Sequence, residues 1–200
     1  MQKPAITEVP IADIIANRWS SRAYDANKPV TPAQIVALLE AARWAPSSYN
    51  DQPWRFIVCD KNTDLNAWQA AFDCLMPANQ IWLANARVLV LCCANTVLDI
   101  NQQPNRFAQY DMGAAVENLC LQATHLGLMT HQMGGYDSDK ARSAFAVPAQ
   151  FTLMAMVSVG YMGDQAQLNA ELLARDTAAR KRKNLTDLSY AGSWGKPFKS

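Results

Sequence analysis

The hydrophobic patterning of this chain predicts a sheet covered by helices, of α+β or α/β class. Three observations carry that reading. Val88 to Ala94 is an unbroken apolar run, the pattern of a strand buried on both faces. Arg106 to Leu126 reads as a long helix that is apolar almost all round, with Gly113, Ala114 and Ala115 small enough to let another helix approach. Around these two segments, strand-like and helix-like stretches alternate after a helical N-terminal part.

Taken in order, residues 11–18 form a short helix that ends at an arginine-rich run. Thr31-Pro32-Ala33-Gln34 starts a second helix: Thr is the N-cap, Pro sits in the first turn, and Gln stands three residues after Thr. Ile35, Leu38, Leu39 and Ala42 follow helical spacing, and the helix stops before Pro46. Ala45 to Pro53 is a polar loop bounded by prolines, and Trp54 to Cys59 is a short strand. Residues 63–75 place Leu65, Trp68, Phe72 and Leu75 near one helix face, and 79–86 form another short helix. After the strand at 88–94 and the long helix, Gly127 acts as a C-cap. Leu128 to Met133 leads into Gly134-Gly135-Tyr136-Asp137; Asp137 or Ser138 caps a helix to about Phe145, which Pro148 ends. Phe151 to Tyr161 is a further apolar strand, and the tail from 165 is polar, with the basic run Arg180-Lys181-Arg182-Lys183.

Composition narrows the function. A chain of 200 residues suits one domain, spanning 1–200, and such a length buries roughly 70% of its unfolded surface. The net charge of +1 gives no global field toward nucleic acid or membrane. Five cysteines, an odd count without Cys-x-x-Cys spacing and mostly in apolar runs, argue for reduced core thiols in a cytoplasmic protein and against disulfides or zinc. The N-terminal residues lack a signal-peptide pattern, and the apolar runs fall short of a membrane span.

Four segments carry groups suited to anions or flat polar rings. In Arg18-Trp19-Ser20-Ser21-Arg22, two guanidiniums flank a hydroxyl; in an extended segment residues 18, 20 and 22 share one side, so one phosphate can touch all three. The Ser47-Ser48-Tyr49-Asn50-Asp51-Gln52 loop offers hydroxyls, amides and backbone donors. Gln132 to Gly135 brings two glycines whose backbone can come close to a ligand. The run at 180–183 adds phosphate donors; as a single short tract without interleaved aromatics it does not read as a nucleic-acid surface. Hydrolytic chemistry finds little support. The only histidines are His125, expected to be structural, and His131, which precedes the Gly-Gly loop and can line a site. Phosphate donors with few acid–base groups point to a cofactor that carries the reaction.

These residues resemble the FMN-dependent nitroreductases. Arg18-Trp19-Ser20-Ser21-Arg22-Ala23-Tyr24 is similar to that family's N-terminal Arg-x-Ser-x-Arg/Lys-x-aromatic motif. Ala45-Pro46-Ser47-Ser48-Tyr49-Asn50-Asp51-Gln52-Pro53-Trp54 is similar to its long Pro-Ser-Ser-x-Asn-x-Gln-Pro-Trp signature. Asn79-Gln80-Ile81-Trp82, Tyr110-Asp111-Met112-Gly113-Ala114-Ala115, Gly134-Gly135-Tyr136-Asp137 and the basic tail before Trp194-Gly195-Lys196-Pro197 fit in the same order. The resemblance implies an α+β homodimer with a long central interface helix, an exchanged C-terminal arm from about residue 180, and an FMN site built from both chains. Arg18, Trp19, Ser20 and Arg22 would meet the cofactor's phosphate and ribityl end, joined by Arg180 and Arg182. Pro46, Ser47, Ser48 and Asn50 would reach it from the partner subunit. Asn79 would bind the pyrimidine edge, and Gln132, Met133, Gly134 and Gly135 would line the ring. Two departures stand out: Trp82 occupies a place where some members carry Lys, and Gly134 one where others carry Glu. The chain is also short at 95–105, where larger members carry substrate-covering helices.

The implied activity is transfer of reducing equivalents from NADPH or NADH through FMN to nitroaromatics, quinones or similar small electron-poor acceptors, by ping-pong kinetics. The alternatives are a specialised flavoenzyme of the same fold, such as a dehalogenase or flavin-consuming enzyme, and a non-catalytic flavin carrier.

Overall fold

The computed structural model describes residues 3–198, so the outermost two residues at each end of the expected 1–200 domain lie outside it. Its centre is a four-stranded sheet of β1 (Trp54–Asp60), β2 (Val88–Asn95), β3 (Met129–Met133) and β4 (Phe151–Gly160), in the order β1-β2-β4-β3. All three pairings are antiparallel, which decides the fold class as α+β.

Strand β2 is buried along its whole length, as its unbroken apolar run predicts. Its side chains alternate between two cores. Val88, Val90, Cys92 and Ala94 face one core, with α2 (Pro32–Arg43) and α5 (Ala108–His125); Leu89, Leu91 and Cys93 face the other, with α3 (Leu65–Asp73) and α4 (Pro77–Leu83). All five cysteines are free and buried. Burial pushes the Cys59 thiol up to about 12 and Cys93 to about 11, so both resist becoming thiolates, as expected of core thiols.

The helix caps follow the sequence. The Thr31 side chain accepts from the Gln34 backbone N–H while the Gln34 side chain accepts from the Thr31 N–H at 2.9 Å, a complete capping box. Asp137 caps α6 (Ser138–Ala144), accepting from the N–H groups of Asp139 and Lys140. Gly127 follows α5 at φ 70°, a left-handed position that costs glycine little.

Several expectations need correction. Helix α1 is Asp13–Asn17, shorter than 11–18. Helix α4 spans Pro77–Leu83 rather than 79–86, because Pro77 takes the first turn, where its missing N–H costs nothing. Helix α5 is not apolar all round: Ala108, Met112, Ala115, Leu119 and Ala123 form a buried stripe, while Tyr110 and Gly113 are exposed. His125 lies exposed in the last turn of this helix, apart from the candidate site residues. Helix α7 (Ala170–Thr177) precedes a C-terminal arm on which Leu185, Leu188, Trp194 and Phe198 are exposed, Trp194 at 89%. Among the described residues, no helix is long and apolar enough to cross a membrane.

Candidate functional site

The run after α1 is extended, and its burial alternates. Trp19, Ser21 and Ala23 are buried, while Arg18, Ser20 and Arg22 are partly exposed on the other side. That side opens into a recess of about 270 Å³ lined also by Lys3, Arg175, Asp176, Arg180 and Arg182. The lining holds six cationic side chains against one carboxylate. Burial, followed by the neighbouring Arg18 and Arg182 charges, pushes the Arg180 guanidinium's pKa down. Like charges are crowded here, and an anion would relieve that crowding.

The cations are held from behind. Arg180 Nη1 donates to the Lys3 carbonyl at 2.9 Å and to the Ala16 carbonyl at 2.6 Å. Arg18 pairs with Glu117 of α5 at 3.6 Å. The Arg22 guanidinium pairs with Asp176 at 3.3 Å and lies 5.9 Å from the Trp82 ring centre. Trp19 is buried and carries the Lys3 ammonium 4.9 Å from its ring centre.

A second group adjoins the first. Asn79 Nδ2 donates to the Gly135 carbonyl at 2.9 Å, and a Cβ on Gly135 would come within 2.7 Å of that nitrogen. Glycine at 135 therefore permits the contact. At Gly134 the space around an added Cβ is open. Gln132 is exposed, and its amide reaches Cys120 Sγ at 3.5 Å. Met133 alternates to the opposite face of the strand, where its side chain is 3% exposed in the core, so only its backbone is available to a ligand.

His131, on the same strand as Gln132, ties that strand to the arginine run. Its Nδ1 lies 3.1 Å from the Ser21 carbonyl, which fixes the proton on Nδ1, and its ring lies 4.7 Å from Trp82. Burial pushes its pKa down to about 4. Trp82 is itself buried, with Tyr24 stacked at 6.4 Å.

Pro46, Ser47, Ser48 and Asn50 are not brought to either group within this chain. Their loop lines a separate recess of about 390 Å³ with Arg55, Asp99 and Ile100. Tyr49, Asn50 and Gln52 all have positive φ, at 55°, 54° and 50°. Such backbone persists only where its surroundings hold it. The Ser48 N–H donates to buried Asp111 of α5 at 3.0 Å, the Gln52 N–H donates to Ser47 Oγ at 3.1 Å, and Asp51 accepts from the Asp99 N–H at 2.9 Å.

Lys3, Arg175, Asp176 and, behind the 46–52 loop, Asp111 are residues of these sites to which the sequence assigns no role. Asp111 belongs to the Tyr110-Asp111-Met112-Gly113-Ala114-Ala115 segment that fits the family pattern. Asp176 carried no signal, because its partners at Ser21 and Arg22 are over 150 positions away.

Fold and recess together define an α+β protein with a strongly cationic recess. The model of the Nitroreductase family matches residues 15–161, and the chain belongs to that family. It is 31% identical over 156 residues to the "Putative NADH dehydrogenase/NAD(P)H nitroreductase" of Archaeoglobus fulgidus, covering 76% of this chain and 85% of that one. A solved structure described as an oxidoreductase containing FMN is 32% identical, covers 96% of each chain and superposes with a TM-score of 0.89. A "putative nitroreductase" in complex with FMN, from Desulfovibrio desulfuricans, is 25% identical, covers 96% of this chain and all of that one, and gives a TM-score of 0.70.

Proposed function

We propose that this chain is an FMN-dependent oxidoreductase that passes reducing equivalents from NADPH or NADH to nitroaromatics, quinones or similar electron-poor acceptors. The observation that carries this reading is the recess of six cations around Ser20, which suits a doubly charged phosphate monoester. The residues fit FMN in two respects. Arg18, Ser20, Arg22, Arg180 and Arg182 supply donors for its phosphate, and Asn79, Gln132 and the Gly134-Gly135 backbone offer a polar edge for its ring, sterically open at Gly134. When bound, FMN would supply two-electron transfer between the nicotinamide donor and the acceptor. The chain's own residues bind and orient. The guanidiniums fix the phosphate, and Asn79, held by the Gly135 carbonyl, presents its amide oxygen as an acceptor. His131, neutral at pH 7, packs against Trp82 without adding a charge there.

The reading extends to a homodimer with an exchanged arm. It is supported by the separation of the 46–52 loop from the cationic recess and by the exposed apolar residues Tyr110, Trp194 and Phe198. In that arrangement each loop serves the partner's recess, and the exposed side of α5 is covered. The free, buried cysteines agree with a reducing, cytoplasmic setting.

The test is the visible spectrum of the purified protein before and after anaerobic addition of NADPH or NADH. A flavin spectrum that bleaches is the expected result. Flavin that stays oxidised with both donors would favour a specialised or non-catalytic flavoprotein. A colourless protein that takes up no added FMN would overturn the reading.

A further inference from the structure

Among the described residues Asp176 is the only carboxylate lining the cationic recess, and it is 1% exposed. Its Oδ2 accepts from the Ser21 hydroxyl at 3.0 Å, from the Arg22 N–H at 3.3 Å and from Gln165 Nε2 at 3.3 Å. Its Oδ1 accepts from Arg22 Nη1 at 3.3 Å. Its backbone carbonyl accepts from Lys3 Nζ, and the Lys3 carbonyl in turn accepts from Arg180. One buried side chain thus joins the arginine run, the 165–167 turn and the end of α7, just before the arm that carries Arg180 and Arg182.

A negative charge beside an anion site weakens it by repulsion, so its presence among six cations calls for a reason. We propose that Asp176 is the positioning residue of this site. It aims the Arg22 guanidinium into the recess before any ligand arrives. Arg22 is held on two sides, by the carboxylate and by the Trp82 face, so little side-chain freedom remains to be lost on binding. The proposal rests on the reading of the recess as the FMN phosphate site.

The test is a double-mutant cycle on FMN affinity, read by flavin fluorescence in the full chain, with wild type, Arg22→Ala, Asp176→Asn and the double variant. A residue that acts through Arg22 loses its effect once Arg22 is gone, whereas a merely structural one costs the same in both backgrounds. The expected result is about tenfold weaker FMN binding for Asp176→Asn with Arg22 present, and no more than about twofold with alanine at 22. Equal losses in both backgrounds, or no loss with Arg22 present, would overturn the proposal. Gln165→Ala removes one donor from the partly exposed edge of the network and serves if Asp176→Asn fails to fold. It is expected to weaken FMN about two- to threefold only while Arg22 is present, and an equal loss without Arg22 counts against the proposal.

Inorganic phosphate, read as a rise in melting temperature, separates this inference from the flavin reading. A wild-type chain stabilised by phosphate but indifferent to FMN overturns the flavin reading, and the same cycle run with phosphate then decides the role of Asp176. A chain stabilised by neither overturns both.

Discussion

His131 gives this fold an acid limb. Its ring is packed against Trp82 at 4.7 Å, its Nδ1 is committed to the Ser21 carbonyl at 3.1 Å, and its pKa falls to about 4 from an ordinary 6.5. Burial is the main cause, and Arg22 and Arg18 add to it, while the Ser21 carbonyl and Asp176 oppose it. The unfolded chain therefore binds a proton between pH 6.5 and 4 that the folded chain refuses, and stability rises with pH across that window. Above it both states are neutral at His131 and no penalty remains; below it both are protonated and the penalty is complete. At about 1.4 kcal/mol per tenfold change in proton affinity, acidification through the window costs about 3 kcal/mol. The assay is urea unfolding at pH 7, 5.5 and 4 in phosphate-free buffer, so that the cationic recess carries no anion. His131→Asn keeps a donor for the Ser21 carbonyl but cannot titrate. Carboxylates titrate in both proteins and cancel in the comparison. Between pH 7 and 4 the variant is expected to lose about 3 kcal/mol less than wild type. Parallel acid limbs in the two proteins would refute the reasoning.

Arg22→Ala is expected to weaken FMN retention by about 1.5–3 kcal/mol, the range for a hydrogen bond to a charged group, measured by equilibrium titration; unchanged affinity would remove Arg22 from the phosphate site. Two glycines allow a paired test. Gly135→Ala would bring a Cβ to 2.7 Å from Asn79 Nδ2, the movable end of a side chain, so stability should fall by only about 1 kcal/mol while flavin affinity drops. Gly163→Ala would bring one to 2.5 Å from the Tyr24 carbonyl carbon and oxygen, which cannot step aside, so it should cost more than about 4 kcal/mol or prevent folding. Thermal melts and flavin titrations of both variants check this, and the reverse order of stability would refute it.

What the sequence made legible was local. The apolar run at 88–94 marked the central strand, Thr31 and Asp137 announced their helices, and the spacing of Arg18, Ser20 and Arg22 became one face of an extended segment. Each signal is written within a few adjacent residues. The rest depends on partners far along the chain or on backbone geometry. Asp176 reaches back 155 positions to Ser21, and Asp111 holds Ser48 across 63. The positive φ of Tyr49 and Gln52 leaves no compositional trace, because neither residue favours that region. Met133 sat in a motif whose backbone faces the site, but strand alternation sends its side chain into the core. The apolar content of α5 hid its polarity, since small residues such as Gly113 read as apolar yet lie exposed.

The cationic recess also shows how function and stability oppose each other here. Its residues come from both ends of the chain: Lys3, the run from Arg18 to Arg22, and Arg175 to Arg182. Six like charges do not gather by mutual attraction. They gather because buried neighbours do the holding: Trp19 under Lys3, Asp176 beside Arg22, and main-chain carbonyls around Arg180. The repulsion is therefore set against the folding of the segments that carry it. Within a single chain none of the described residues beyond α7 is buried, so little packing inside the chain offsets that cost there. An anion bound only by the closed arrangement adds stability by mass action, about 2.7 kcal/mol at a hundred times its dissociation constant. On the proposed reading, in which the recess holds the FMN phosphate, binding therefore stabilises the segment from Arg175 to Arg182 that lines it.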